Sequence, residues 1–184
     1  MSVATPREVL DFWFKEIAPD RWFRTNPEFD AEIRTRFEET WRAARADQLK
    51  DWALSRDGML ALIILLDQFP RNMFRGRPES FATDSMAREA AGHAIVHGYD
   101  LDATEDERNF LYLPFMHSEH LSDQETCLRL IRERLGENHS SYPFALRHRD
   151  AIARFGRFPA RNSALGRVST KDEEAFLAKN PSGF

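Results

Sequence analysis

Residues 26–45 read NPEFDAEIRTRFEETWRAAR, and the spacing within this stretch decides the fold class. Phe29, Ile33, Phe37 and Trp41 recur every fourth residue with charged residues between them, which winds one apolar stripe along a helix. Asn26 offers a side-chain acceptor to the first free amides, and Pro27 suits the first helical position, where no N–H is needed. The same signals recur on either side. Thr5-Pro6-Arg7-Glu8 reads as a capped start with a reciprocal Thr and Glu box, followed by Leu10, Trp13, Phe14 and Ile17 and ending near Pro19. Leu49 to Leu54 reads as a short turn, and the most apolar helix is expected from Met59 to about Gln68. Asp84 is expected to cap an alanine-rich helix closed by Gly98, and Thr104 with Glu107 and Ser122 with Glu125 read as two more capping boxes, the second ahead of a helix closed by Gly136. Helices from about Pro143 to Phe155 and from Ser169 or Thr170 through Leu177 complete the chain. No run of alternating β-branched residues bounded by turns is present, as a sheet would require. The expectation is an all-α chain: a single domain of seven to nine helices, with a core at about residues 5–178 and a short flexible tail over 179–184.

Composition narrows the function classes. The chain has 184 residues, enough for one real core, and its 42% apolar content excludes a mostly disordered reading. Cys127 is its only cysteine, so no disulfide can form within the chain. The opening MSVATPREVL lacks the basic-then-apolar layout of a secretory signal. The longest apolar run, Met59 to Leu66, has 8 residues, far short of the roughly 20 that span a bilayer. A soluble cytoplasmic protein is expected, with no membrane partner. A net charge of −4 argues against a general nucleic-acid binder. The charge is uneven, however: Arg147 to Arg167 holds six arginines and one acid, Asp150, a segment charge of +5.

Within that basic segment lies GRFPARN (156–162), a near twin of DQFPRN (67–72). Proline removes a backbone donor and drives the preceding residue into an extended conformation, so Phe69-Pro70 and Phe158-Pro159 are each expected to end a helix abruptly. Arg71-Asn72 and Arg161-Asn162 would then be held just beyond rigid stops. A guanidinium matches a carboxylate or phosphate through paired hydrogen bonds, and an adjacent amide adds a donor and an acceptor. If the two stops face each other they form an anion clamp, with Arg157 as a further donor. The competing reading is that each Arg and Asn satisfies the carbonyls of its own helix end.

Candidates for proton transfer are His148, His117 and Asp67, and Tyr112 is a candidate ligand contact beside Arg71, Asn72, Arg157, Arg161 and Asn162. His148 shares a helical stripe with Ile152 and Phe155, which fits a core role as well as a functional one. Asp150 is spaced to pair with Arg147 or Arg154. His117 and His120 lie three apart in PFMHSEH, but no third ligand is spaced with them, so no metal is expected. Cys127 lies on an apolar stripe and reads as packing. No GxSxG, phosphate-binding P-loop, GxGxxG or HExxH occurs, and no cofactor is implied.

The strings VLDFWF, WFRTNPEFDAEIRTRF, LDQFPRNMFRG, FATD, ERNFLYLPFMHSE and HRDAIARFGRFPARNSALGRVSTKDEEAFL together resemble the bacterial family called domain of unknown function 924, over about residues 7–178. The resemblance implies an all-helical fold of tetratricopeptide-like antiparallel helix pairs and no established activity. The family's pattern at the second stop reads FPHRN, where this chain has Ala160. Either that histidine is dispensable or this chain is a variant lacking it. As a general base, its loss would cost ~10²–10⁴-fold in rate.

The leading expectation is therefore a small anionic ligand held in a central pocket lined by Arg, Asn and His. Any turnover would be hydrolytic or transfer chemistry, with arginines stabilising negative charge and a histidine moving the proton. A scaffold holding a peptide or protein partner is the alternative. RNA binding through Arg147 to Arg167, with Phe155 and Phe158 stacking on bases, is a third.

Overall fold

The computed structural model describes residues 3–180, and among them every regular element is helical. Helix α1 (Pro6–Asp11) starts as expected. The Thr5 amide donates to Glu8 Oε2 at 2.7 Å, and the Glu8 amide donates back to Thr5 Oγ1 at 3.3 Å. A single wide π turn, Phe12–Glu16, continues it. Phe12 and Trp13 are both fully buried there. Helix α2 (Pro27–Arg45) is capped by Asn26, whose Oδ1 accepts from the Glu28 and Phe29 amides at 3.0 and 3.1 Å. The apolar stripe Phe29, Ile33, Phe37 and Trp41 is buried along its length.

A 3-10 turn over Lys50–Leu54 precedes α3 (Arg56–Ile63), which begins at Ser55. Gly58 lies in its first turn, where a Cβ would sit 2.1 Å from the Trp52 carbonyl oxygen, so only glycine fits. The apolar run then departs from expectation. It does not stop at Phe69-Pro70: a second π turn, Ile64–Gln68, leads into α4 (Phe69–Met73) with Pro70 in its first turn. The wider turn makes room for the proline ring. The Leu66 carbonyl accepts instead from Thr83 Oγ1 at 2.6 Å, and Thr83 Oγ1 accepts from Trp41 Nε1 at 3.1 Å. Phe69 turns back into the core, where its ring centroid lies 4.7 Å from Phe37, 5.5 Å from Trp13 and 6.1 Å from Phe12. Each such ring, fully buried, contributes about 1.5–3 kcal/mol, so this aromatic knot is the main support of its neighbourhood.

Helix α5 (Asp84–Val96) is not capped by Asp84. Thr83 is the boundary residue, without a side-chain cap, and Asp84 turns to Arg71 instead. Gly98, at φ +69°, reverses the chain after it. Helix α6 (Glu105–Met116) has the expected Thr104 and Glu107 box, with both reciprocal hydrogen bonds present. Helix α7 (Leu121–Arg134) is preceded by His120 as its boundary residue, two residues earlier than the expected Ser122 cap, so Ser122 lies inside it. Helix α8 (Ser141–Phe155) packs along α7, and a short connection makes the pair antiparallel. Helix α9 (Lys171–Lys179) is capped by Thr170 with Glu173. Of the expected tail 179–184, Lys179 belongs to the helix and Asn180 is its C-terminal boundary residue; residues 181–184 lie outside the described residues.

The helices gather into two compact units. One is Met1–Arg75 with Glu79–Leu111, and its core is the aromatic knot. The other is Gly76–Pro78 with Tyr112–Phe184. It buries Phe158 against Ala151 and Ile152, and in it Cys127 lies fully buried with its thiol toward the Tyr112 carbonyl at 3.7 Å. Burial pushes that thiol up to about 12, so Cys127 is packing and no nucleophile.

Candidate functional site

In the second unit the Phe-Pro stop works as the sequence suggested. Helix α8 closes at Gly156, in the left-handed region at φ +66°. Phe158 is extended at φ −86°, ψ 110°, as the following proline demands, and Pro159–Arg161 form a single 3-10 turn. Two carboxylates hold this segment in place. Glu119 accepts the Phe158 amide at 2.8 Å and pairs with Arg167 through hydrogen bonds of 2.8 and 2.9 Å. Arg167 also donates to the Phe158 carbonyl at 3.2 Å. Glu173 accepts Arg157 Nε at 2.6 Å and Nη2 at 2.9 Å, and Asn162 Nδ2 donates to Ser169 Oγ at 3.0 Å and more weakly to Glu173.

Between these anchors three expected residues come together. The Arg161 guanidinium lies 4.6 Å from the centre of the Phe158 ring and donates through Nη2 to the His117 carbonyl at 2.7 Å. His148 meets the same Phe158 ring edge-on at 5.4 Å, and its ring lies 6.4 Å from that of His117. His148 Nδ1 is 2.8 Å from the Phe144 carbonyl. A carbonyl can only accept, so Nδ1 carries the proton and Nε2 keeps its lone pair. Burial, then the neighbouring His117, with Arg161 and Arg147 adding to it, pushes His148 down to about 4. The imidazole is thus neutral at physiological pH inside a positive field. Glu119 is also partly buried, which alone would raise it, but the Arg167 and Phe158 hydrogen bonds and the Arg161 charge hold it below the usual carboxylate range.

The other candidates are engaged differently. Arg71 does not stand ready for an external anion: its Nη1 and Nη2 donate to Asp84 at 2.9 and 3.0 Å, and Asp67 lies 3.3 Å away. Burial lowers its pKa, and the charges of Asp67 and Asp84 more than offset this, holding it above the usual value. The clamp of two unpaired arginines is corrected accordingly. Asp67 is buried at 1% exposure, accepts from Gln68 at 2.5 Å and is a counter-ion of Arg71. Asn72 donates to Asp30 at 2.8 Å, and Arg75 forks onto the same carboxylate. Tyr112 is fully buried. Arg157 is taken by Glu173. Asp150 pairs with Arg149 at 3.0 Å and leaves the expected i,i+3 and i,i+4 partners Arg147 and Arg154 aside.

For a base-stacking surface the geometry is unfavourable, since Phe158 is buried and Phe155 packs edge-on against Phe176 at 5.1 Å. Sequence reasoning missed Glu119, Glu173 and Arg167, which reach across 16 to 48 residues. Only the Thr170 to Glu173 capping spacing carried any signal of them. Two buried polar atoms at this stop, Asn162 Oδ1 and Arg167 Nε, have no hydrogen-bond partner among the described residues. Ala160 is exposed on the turn beside Arg161.

A family model described as bacterial protein of unknown function (DUF924) matches residues 9–181. The solved structure of a protein of unknown function from Agrobacterium tumefaciens is 40% identical, with a TM-score of 0.89 over 95% of this chain and 97% of that one. No curated protein matches the chain. Among the described residues, no helix is long and apolar enough to cross a membrane.

Proposed function

The chain belongs to the bacterial family DUF924, and we propose that its second unit binds a small anionic molecule, a phosphate or carboxylate, at the cluster of Arg161, His148 and His117. One observation carries this reading. Arg161 and His148 meet on the one Phe158 ring, with the His117 ring 6.4 Å from that of His148, and His148 is held neutral first by burial, with Arg161 and Arg147 adding positive charge that an anion would relieve. Arg161 is oriented by the Phe158 ring and the His117 carbonyl, so little side-chain freedom remains to be lost on binding. Arg167 Nε, buried without a hydrogen-bond partner among the described residues, is a further donor at the same stop. In a reacting ligand, His148 Nε2 would take a proton while Arg161 stabilised the developing negative charge. Arg71, paired with Asp84 and Asp67, is not counted in this site.

Calorimetric titration of the full chain with inorganic phosphate, sulfate and citrate tests this reading. At least one of these anions should bind, and Arg161→Ala should weaken that binding by ~10–100-fold, the value of a hydrogen bond to a charged group. Absence of binding by all three, or binding untouched by Arg161→Ala, would overturn the proposal.

A further inference from the structure

His93 and His97 lie one turn apart near the C-terminal end of α5, both exposed. Their rings stack with centroids 3.9 Å apart and planes inclined by 20°. His97 Nδ1 lies 2.9 Å from the His93 carbonyl oxygen. As that oxygen can only accept, Nδ1 carries the proton and Nε2 is the lone-pair nitrogen. In His97 the tautomer that binds metals through Nε2 is therefore fixed by the backbone before any ion arrives. The last carbonyls of α5 place partial negative charge at this end of the helix, which favours a cation. Gly98 reverses the chain directly afterwards and brings the Tyr99 ring to 5.7 Å from His97 and 6.4 Å from His93.

We propose that His93 and His97 form an open chelate for a divalent late first-row metal ion, taking Cu²⁺ in preference to Ni²⁺ or Zn²⁺. Two imidazoles suit these borderline ions, and Cu²⁺ stands highest in the general order of affinity. Nitrogen to metal bonds of about 2.0–2.1 Å require the two donors to lie roughly 3 Å apart; the ring centroids are 3.9 Å apart, and both exposed rings must turn out of the stack so that their in-plane lone pairs converge on one ion. No group of three or more His, Cys, Asp or Glu is gathered around a common point among the described residues. Water completes the coordination, and the ion exchanges freely; this is not a closed structural site. The second histidine pair, His117 and His148, is disfavoured for the same role by its wider separation and by the Arg161 charge beside it.

The test is calorimetric titration of the chelator-treated full chain with Cu²⁺, Ni²⁺ and Zn²⁺, with the visible absorption of bound Cu²⁺ as a second readout. One equivalent of Cu²⁺ is expected to bind, most tightly of the three. His93→Ala or His97→Ala should each weaken it ~10-fold or more, because the second donor then loses its high effective concentration. His120→Ala and His139→Ala should bind as the parent does, and binding should weaken on acidification, since protons compete with the metal for the donor nitrogens. Circular dichroism of the metal-free variants establishes that they are folded. No stoichiometric binding, or binding undiminished in both His93→Ala and His97→Ala, overturns the proposal.

Discussion

Arg157 and Glu173 form a two-pronged ion pair, with Nε and Nη2 donating at 2.6 and 2.9 Å, that ties the stretch after α8 to the start of α9. The Arg157 hydrogen bonds first, then the Thr170 amide, draw the Glu173 carboxyl down to about 2 from its ordinary 4.5. Between those values the folded chain binds fewer protons than the unfolded one, so the stability from this group is complete above pH 4.5 and is lost as pH falls toward 2. Melting curves of the parent and Glu173→Gln across that range measure it. The parent is expected to be the more stable at neutral pH, and the difference is expected to shrink through the acid window. A gap that stays constant with pH would show that the carboxylate charge plays no part.

Glu119 acts on the site at one remove, by accepting the Phe158 amide and fixing Arg167. Glu119→Ala is expected to weaken anion binding by ~2–10-fold through misplacement of Phe158 and the guanidinium stacked on it, the scale of one net hydrogen bond. Glu119→Gln keeps an acceptor for the amide and should lose less. Equal losses in both variants would mean that the charge, and not the position of Phe158, is what matters.

Arg71 lies between Asp67 and Asp84, with Asp67 at 1% exposure. Arg71→Ala removes the guanidinium paired with the buried Asp67 and with Asp84 and is expected to destabilise by about 3–5 kcal/mol. Anion affinity should be unaffected once the folded fraction is accounted for. Urea denaturation combined with sulfate titration separates the two effects, and a selective loss of affinity in this variant would restore Arg71 to the ligand site.

Thr83 relays a hydrogen bond from Trp41 to the Leu66 carbonyl that Pro70 cannot serve. Thr83→Val strands both groups and is expected to cost about 2–4 kcal/mol, against about 1 for Thr83→Ser, which keeps the hydroxyl. In Pro70→Ala the new amide can serve the carbonyl, so the double variant Pro70→Ala with Thr83→Val should lose less than the sum of the two single changes. Strict additivity in denaturant melts would contradict the relay.

Helix type and helix starts were legible where local chemistry decides them. Thr5, Asn26, Thr104 and Thr170 cap as their spacing demands, and the stripe Phe29, Ile33, Phe37 and Trp41 is buried as a stripe. What eluded the sequence was set by distant partners. Phe69-Pro70 and Phe158-Pro159 look alike, yet one continues a helix through a π turn relieved by Thr83 and the other breaks it. Asp84 prefers Arg71 to its own helix end. The same holds for the site: His148, His117 and Arg161 were readable as candidates, but Glu119 and Glu173, which anchor Phe158, Arg167 and Arg157 beside them, are separated from those groups by 16 to 48 residues.

The most direct test is the titration of the His148 imidazole by nuclear magnetic resonance, with and without sulfate, whose charge is constant over the range. Without the anion the midpoint should lie at about 4. Sulfate should raise it in the parent and leave it in place in Arg161→Ala, because an anion bound beside the ring stabilises the imidazolium. A midpoint near the ordinary histidine value, or one that sulfate does not move, would contradict an anion site at Arg161, His148 and His117.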